Sequence, residues 1–129
     1  RGLPRVSIGA FVENLKEIVY RARGFGARKI FVNNNHPTSR VKELIPGTHI
    51  TYEDSNREYS QAIGKMARSL GPDIIFQDVF QYFSDLVEKH ECGIERYLLS
   101  DGLHLSVAGH EAYYELMQPL ILSAVQEIS

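Results

Sequence analysis

Two short apolar runs, each with a helical pattern before and after it, most strongly limit the folds open to this chain. Lys29–Asn33 and Asp73–Phe76 are rich in Ile, Val and Phe and are bounded by Gly, Pro or Asn. Such runs are typical of strands that are buried on both faces. Alternation with helices predicts a parallel sheet covered on both sides, which is a three-layer α/β/α architecture. The length of 129 residues fits one domain, residues 1–129.

Capping signals and apolar periodicity place the first two helices. Ser7 predicts the start of a helix that runs to about Arg23. Its apolar face is predicted to contain Phe11, Leu15, Ile18 and Ala22. The second helix is predicted to begin near Ser55, because Ser55 and Glu58 have the spacing of a capping box. Gly71 and Pro72 are expected to end it.

Two further helices follow the second strand. The third helix is predicted over about Val79–His90, and Ser106 is the expected N-cap of the last helix. Pro119 is expected to kink this last helix or to split it. The predicted apolar face of the last helix comprises Tyr113, Leu116, Met117, Leu120, Ile121, Ala124 and Ile128.

The sheet indicated by the sequence is too small for its helices. Two strands do not bury helices on both faces, and most sheets contain more strands. We therefore expect that residues outside this sequence, a complementing chain or an oligomer, complete the sheet.

Composition excludes several classes of function. The net charge of −2 gives no electrostatic basis for binding nucleic acid or an anionic membrane. No apolar run has the length of a membrane-spanning helix. Cys92 is the only cysteine, which excludes an intramolecular disulfide and a cysteine-rich zinc site. With no leader peptide recognised, the single cysteine favours a reducing compartment, the cytoplasm.

The segment that carries chemistry is Asp101-Gly102-Leu103-His104, which is predicted to form a turn before the last helix. Gly102 permits backbone angles that bring the Asp101 carboxylate back to His104 Nδ1. Such a bond would fix the imidazole tautomer and leave Nε2 free as a base for a hydroxyl nucleophile. A second interpretation is a metal site formed by Asp101, His104 and His110, since two histidines and a carboxylate are a known ligand set.

The sequence around this turn, YLLSDGLHLSVAGH at residues 97–110, resembles the last sequence block of SGNH/GDSL hydrolases. The order of the preceding helix and strands is also similar, and the overall pattern is closest to isoamyl-acetate-hydrolysing esterase-like members. The resemblance implies a flavodoxin-like α/β/α fold, of which this chain is the C-terminal portion. It also implies a serine-type hydrolase of small acyl esters that works through an acyl-enzyme and needs no metal or organic cofactor. Asp101 would be the orienting acid and His104 the general base.

The resemblance has a large gap. The family's Gly-Asp-Ser element, which holds the nucleophile, has no counterpart in this sequence, and neither do the Gly and Asn blocks of the oxyanion hole. Asn33-Asn34-Asn35 follows a later strand, and we expect it to serve the loop structure rather than an oxyanion. The chain alone is therefore expected to be inactive. The alternative is a non-catalytic fragment or interaction module with a family-like C-terminal half.

Overall fold

The predicted alternation of helices and parallel strands is present in the computed structural model, which describes residues 6–129. The elements in chain order are α1 (Ile8–Gly24), β1 (Ile30–Asn33), α2 (Tyr52–Ser69), β2 (Ile74–Gln77), α3 (Val79–Lys89), a short 3₁₀ helix (Ile94–Tyr97) and α4 (Val107–Ile128). Within residues 6–129 the sheet has two strands, β1 and β2, which run parallel with Ile30 opposite Ile74 and Asn33 opposite Gln77.

Helices lie on both faces of this sheet. Successive side chains on a strand point to opposite faces, so Phe76 and Gln77 mark the two sides of β2. Phe76 packs against Gly64 of α2, where an added Cβ would lie 3.4 Å from the Phe76 ring. On the opposite face, in register with Gln77, Asn33 donates a hydrogen bond of 2.7 Å to the Tyr113 hydroxyl on α4. The sheet therefore lies between α2 and α4, which is the predicted three-layer arrangement.

Two of the three predicted N-caps are correct, and α3 begins at Val79 as predicted. Ser7 accepts a hydrogen bond from the backbone N–H of Ala10, and Ser106 accepts one from Gly109, each at 3.2 Å. The predicted start of α2 near Ser55 is wrong. Thr51 caps this helix by accepting from the N–H of Asp54 at 3.0 Å, and Ser55 lies buried inside it.

A strand-like contact before α2 explains why Thr51 and not Ser55 is the N-cap of the helix. Thr51 forms an isolated antiparallel bridge with Leu44, which holds Thr51 in the extended backbone that an N-cap requires. Thr51 and Asp54 have the same spacing as Ser55 and Glu58, so the spacing alone does not show which pair begins the helix. In α4, Pro119 does not split the helix, which continues from Val107 to Ile128.

A core cluster joins α3, the 3₁₀ helix and the start of α4. It consists of the buried side chains of Val79, Phe83, Tyr97 and Ala112. The rings of Phe83 and Tyr97 pack edge to face with centroids 5.5 Å apart. A Cβ added to Gly109 would overlap the Tyr97 carbonyl oxygen, so α4 approaches the 3₁₀ helix at backbone contact. This cluster fixes both ends of the segment between Tyr97 and Gly109, which contains the predicted catalytic turn.

The predicted apolar faces are correct only in part. On α1, Ile18 is 61% exposed, whereas its neighbour Val19 is buried. On α4, Ala112, Met117 and Ala124 are buried, whereas Ile121 is exposed. Apolar residues on these two helices extend beyond the surface that neighbouring elements cover. Across residues 6–129, no helix is long and apolar enough to cross a membrane.

Truncation of Phe83 tests whether the cluster around this residue forms the core of the fold. Phe83→Ala is expected to lower the free energy of unfolding by about 3–5 kcal/mol, because a fully buried ring is replaced by a void. Phe80→Ala is the matched control on the same helix, since Phe80 is 37% exposed, and its effect should be much smaller. Urea unfolding followed by circular dichroism measures both, and equal losses would contradict the assignment of the core to Phe83.

Candidate active site

The segment from Leu98 to Leu105 folds back on itself to form the predicted turn. An antiparallel bridge joins Leu98 and Leu105, and the N–H of Leu99 donates to the His104 carbonyl oxygen at 2.8 Å. Gly102 closes the turn by donating its N–H to the Leu99 carbonyl oxygen at 3.0 Å. Its φ of +72° is the left-handed conformation for which glycine was expected here.

Asp101 and His104 are in direct contact, as predicted. Asp101 Oδ2 lies 2.5 Å from His104 Nδ1. The other carboxylate oxygen, Oδ1, accepts the backbone N–H groups of Leu103 at 2.8 Å and His104 at 3.0 Å. These bonds hold the pKa of Asp101 well below its ordinary value, with the His104 ring as the largest cause and the two backbone N–H groups next. Asp101 is therefore an ionised carboxylate whose two oxygens are both oriented.

This contact defines the chemistry available at His104. An ionised carboxylate can only accept, so in the neutral imidazole Nδ1 carries the hydrogen and Nε2 has the free lone pair. The His104 side chain is 75% exposed, and Asp101 is 36% exposed. A hydroxyl placed against Nε2 would find an oriented general base with a carboxylate behind it.

The loop after β1 contacts the turn through three residues that the sequence analysis did not identify. His36 Nε2 lies 2.8 Å from the Leu103 carbonyl oxygen. Ser39 donates its backbone N–H to the Gly102 carbonyl oxygen at 3.1 Å, and Arg40 Nε donates to the Asp101 carbonyl oxygen at 2.7 Å. Because His36 follows the end of β1 by three residues, the turn lies at the carboxyl end of that strand, the position expected of a site in an α/β sheet.

His36 acts as a donor in this contact. The Leu103 carbonyl can only accept, so Nε2 of His36 carries the hydrogen. Burial lowers the pKa of His36, and nearby His104 and His110 lower it further. The neutral ring with its hydrogen on Nε2 is thus the form that the surroundings favour.

The asparagine run after β1 makes structural hydrogen bonds. Asn34 is buried, donates to Asp78 Oδ1 at 2.8 Å and accepts from the N–H of Phe80 at 3.1 Å. Asp78 also caps α3 by accepting from the N–H of Gln81, so Asn34 and Asp78 both have a structural role. The Oδ1 atom of Asn33 is buried and has no hydrogen-bond partner among residues 6–129.

The metal interpretation finds no support in the geometry. Among residues 6–129, no group of three or more His, Cys, Asp or Glu side chains is placed to hold a metal ion. His110 lies exposed in the first turn of α4, one turn beyond the Ser106 cap. Cys92 is partly buried and packs against the core cluster, as expected of a structural cysteine.

The titration of Asp101 tests the contact with His104. We expect its carboxyl group to protonate well below the ordinary value of about 3.9, and His104→Ala to raise that midpoint. Since the folded-state pKa is the lower one, the pair stabilises the fold above the unfolded pKa, and this contribution is lost as pH falls through the folded pKa. Carbonyl ¹³C NMR of Asp101 measures the midpoint, with His110→Ala as control. An unchanged midpoint in His104→Ala would contradict the contact.

Comparison with known proteins identifies the family. A family model described as GDSL-like Lipase/Acylhydrolase matches residues 4–117, a range that includes both strands and the turn with Asp101 and His104. Comparison with curated proteins found no relative that matches. The family match covers most of the chain and agrees with the parallel α/β architecture. The chain belongs to the GDSL-like lipase/acylhydrolase family.

Proposed function

We propose that this chain supplies the acid–base pair of a serine-type ester hydrolase, with Asp101 as the orienting acid and His104 as the general base. The observation that carries the proposal is the bond between Asp101 Oδ2 and His104 Nδ1, which leaves Nε2 free at an exposed position. Membership of a lipase/acylhydrolase family makes ester hydrolysis the reaction class that fits this geometry best.

The pair would act twice in each turnover. Nε2 of His104 takes the proton of a serine hydroxyl as that oxygen attacks the ester carbonyl, and the imidazolium is stabilised by Asp101. The same proton passes to the leaving alcohol as the C–O bond breaks, which leaves an acyl-enzyme. A water molecule then loses a proton to Nε2 and attacks the acyl group, and the proton returns to the serine oxygen as the acid is released.

We propose that the nucleophilic serine comes from a complementing segment that adds strands to the sheet. Two observations support a covering segment. The sheet has only two strands within residues 6–129, fewer than most sheets contain. In addition, α4 has apolar residues on its outer surface as well as its buried one, which is typical of a helix covered on all sides. The exposed apolar residues of α4 are Val107, Tyr114, Ile121, Leu122 and Val125.

The proposed substrates are small acyl esters. The overall resemblance of the sequence pattern to isoamyl-acetate-hydrolysing esterase-like members supports this substrate class. The proposed reaction uses no metal and no organic cofactor, because serine, His104 and water supply the nucleophiles and the proton transfers.

A non-catalytic interaction module is the second candidate, and the exposed apolar surface of α4 favours it. The two candidates differ in what happens when the surface is covered. A chain that supplies the acid–base pair gains hydrolytic activity when the serine-bearing segment is added. An interaction module binds its partner without gaining any hydrolytic activity. An intact-mass measurement on the source protein establishes which segments accompany this chain.

Activity measurements test the proposed roles of Asp101 and His104. Turnover of p-nitrophenyl acetate by the isolated chain is expected to be near background, and to rise when the serine-bearing segment is supplied. In the restored enzyme, His104→Ala should lower kcat by about four orders of magnitude or more, because the members of a triad act as a unit. Asp101→Asn should also lower it by about four orders of magnitude, since an amide favours the wrong imidazole tautomer.

His90→Ala is the matched control, because His90 lies exposed at the end of α3 and takes no part in the turn. Rapid turnover by the isolated chain that a fluorophosphonate abolishes would place the serine within these residues. Full activity of the restored His104→Ala enzyme would overturn the assignment of the general base.

A further inference from the structure

Three consecutive carbonyl groups of the turn are held by one short loop. Asp101, Gly102 and Leu103 each present a carbonyl oxygen, and these accept from Arg40 Nε, the Ser39 backbone N–H and His36 Nε2 at 2.7, 3.1 and 2.8 Å. We refer to residues 36–40 as the clamp segment. Within residues 6–129, this segment is the only one that binds three successive carbonyl groups of the turn.

The clamp segment packs closely around residue 102. A Cβ added to Gly102 would overlap Ser39 Oγ and would lie 3.5 Å from Arg40 Cγ. Gly102 is itself buried. The side chains of Ser39 and Arg40 therefore lie directly against the backbone of the turn.

The clamp segment is tied to the rest of the fold. Asn56 on α2 donates its side-chain Nδ2 to the His36 carbonyl oxygen at 3.1 Å. The His36 ring also lies near the ring of the core residue Phe83, with centroids 6.2 Å apart. The orientation of the clamp segment is thus set by α2 and by the core, and not by the turn alone.

Peptide planarity connects the clamp segment to the Asp101 carboxylate. The Gly102 carbonyl and the Leu103 N–H belong to one planar peptide group, as do the Leu103 carbonyl and the His104 N–H. The C=O and N–H bonds of each peptide group point in opposite directions within its plane. At one edge the two carbonyl groups accept from Ser39 and His36. At the opposite edge the two N–H groups donate to Asp101 Oδ1. Fixing the carbonyls therefore fixes the donors that orient the carboxylate.

We propose that His36 and Arg40 are positioning residues for the Asp101–His104 pair. They bind backbone carbonyl groups of the turn, and within residues 6–129 neither forms a hydrogen bond with the His104 ring. His36 and the Ser39 backbone N–H hold the two peptide groups whose N–H groups orient the Asp101 carboxylate. Arg40 holds the carbonyl of Asp101 itself, and thus the backbone from which that carboxylate extends. The carboxylate in turn holds the imidazole in the tautomer with hydrogen on Nδ1. The proposal rests on the proposed function only for the consequence that this orientation has for catalysis.

The first test measures the orientation itself, without any activity. His36→Phe keeps a ring beside Phe83 but removes the donor, and Arg40→Met keeps the length of the side chain but removes Nε. We expect ¹⁵N NMR of His104 in either variant to show a mixture of the two neutral tautomers in place of predominantly Nδ1–H. The protonation midpoint of Asp101 should rise as well. His36→Gln, which retains a side-chain N–H donor, should restore the wild-type spectrum.

His49→Phe is the matched control, because His49 is exposed and makes no contact with the turn. Circular dichroism establishes that each variant is folded, and Arg40→Met alone decides the question if His36→Phe is not. A folded Arg40→Met or His36→Phe chain with unchanged His104 tautomer and Asp101 midpoint would overturn the proposal.

The second test uses the enzyme restored with its serine-bearing segment. His36→Phe should lower kcat by up to about 100-fold with little change in KM, because misplacement of a catalytic group affects the chemical step. Activity that persists in His104→Ala would refute the proposed function, whereas the NMR result would still stand. A wild-type kcat in His36→Phe, together with a mixed tautomer, would show that the orientation has no catalytic role and would overturn that part of the proposal.

Discussion

The candidate site depends on one carboxylate that is satisfied by its own turn. Asp101 accepts three hydrogen bonds, from the N–H groups of Leu103 and His104 and from the His104 ring. All three donors lie within three residues of Asp101, and the left-handed angle at Gly102 allows the turn to bring them together. The result is an ionised carboxylate with a defined direction, and that direction selects which nitrogen of His104 remains free. The chemistry proposed for the chain follows from this selection.

Such a turn has little core of its own and takes its rigidity from two neighbours. On one side, Tyr97 and Gly109 anchor its ends in the cluster around Phe83, where α4 meets the 3₁₀ helix at backbone contact. On the other side, the clamp segment holds the carbonyl groups of residues 101 to 103. Functional residues on loops need scaffolding of this kind, because a catalytic group is useful only when its rotamer and direction are maintained. The helices and strands of this chain thus hold the turn in place at the carboxyl end of β1.

The same architecture leaves surfaces that the described residues do not cover. The free nitrogen of His104 faces outward, and the exposed apolar residues of α4 extend along its outer surface. An acid–base pair performs no acyl transfer without a nucleophile, and a helix with apolar residues on all sides is stable when both sides are covered. The complementing segment that we propose would meet both requirements, because it would carry the serine and cover the exposed apolar residues of α4. Family membership gives the reaction class, while the individual roles of Asp101 and His104 are argued from their geometry.

Features that depend on near neighbours in the chain could be predicted from the sequence. The two parallel strands, the caps at Ser7 and Ser106, and the contact between Asp101 and His104 arise from spacing of a few residues, so local patterns predict them. The strands are half-buried rather than buried as predicted, because the described helices leave part of the sheet uncovered. The remaining features depend on packing. The start of α2 at Tyr52 depends on the bridge between Leu44 and Thr51, and the exposure of Ile18 depends on which helices pack against α1. The contacts of His36 and Arg40 with the turn span 67 and 61 residues of chain. No periodicity or motif encodes a contact at that separation, because only the packing of β1, α2 and the core brings those two loops together.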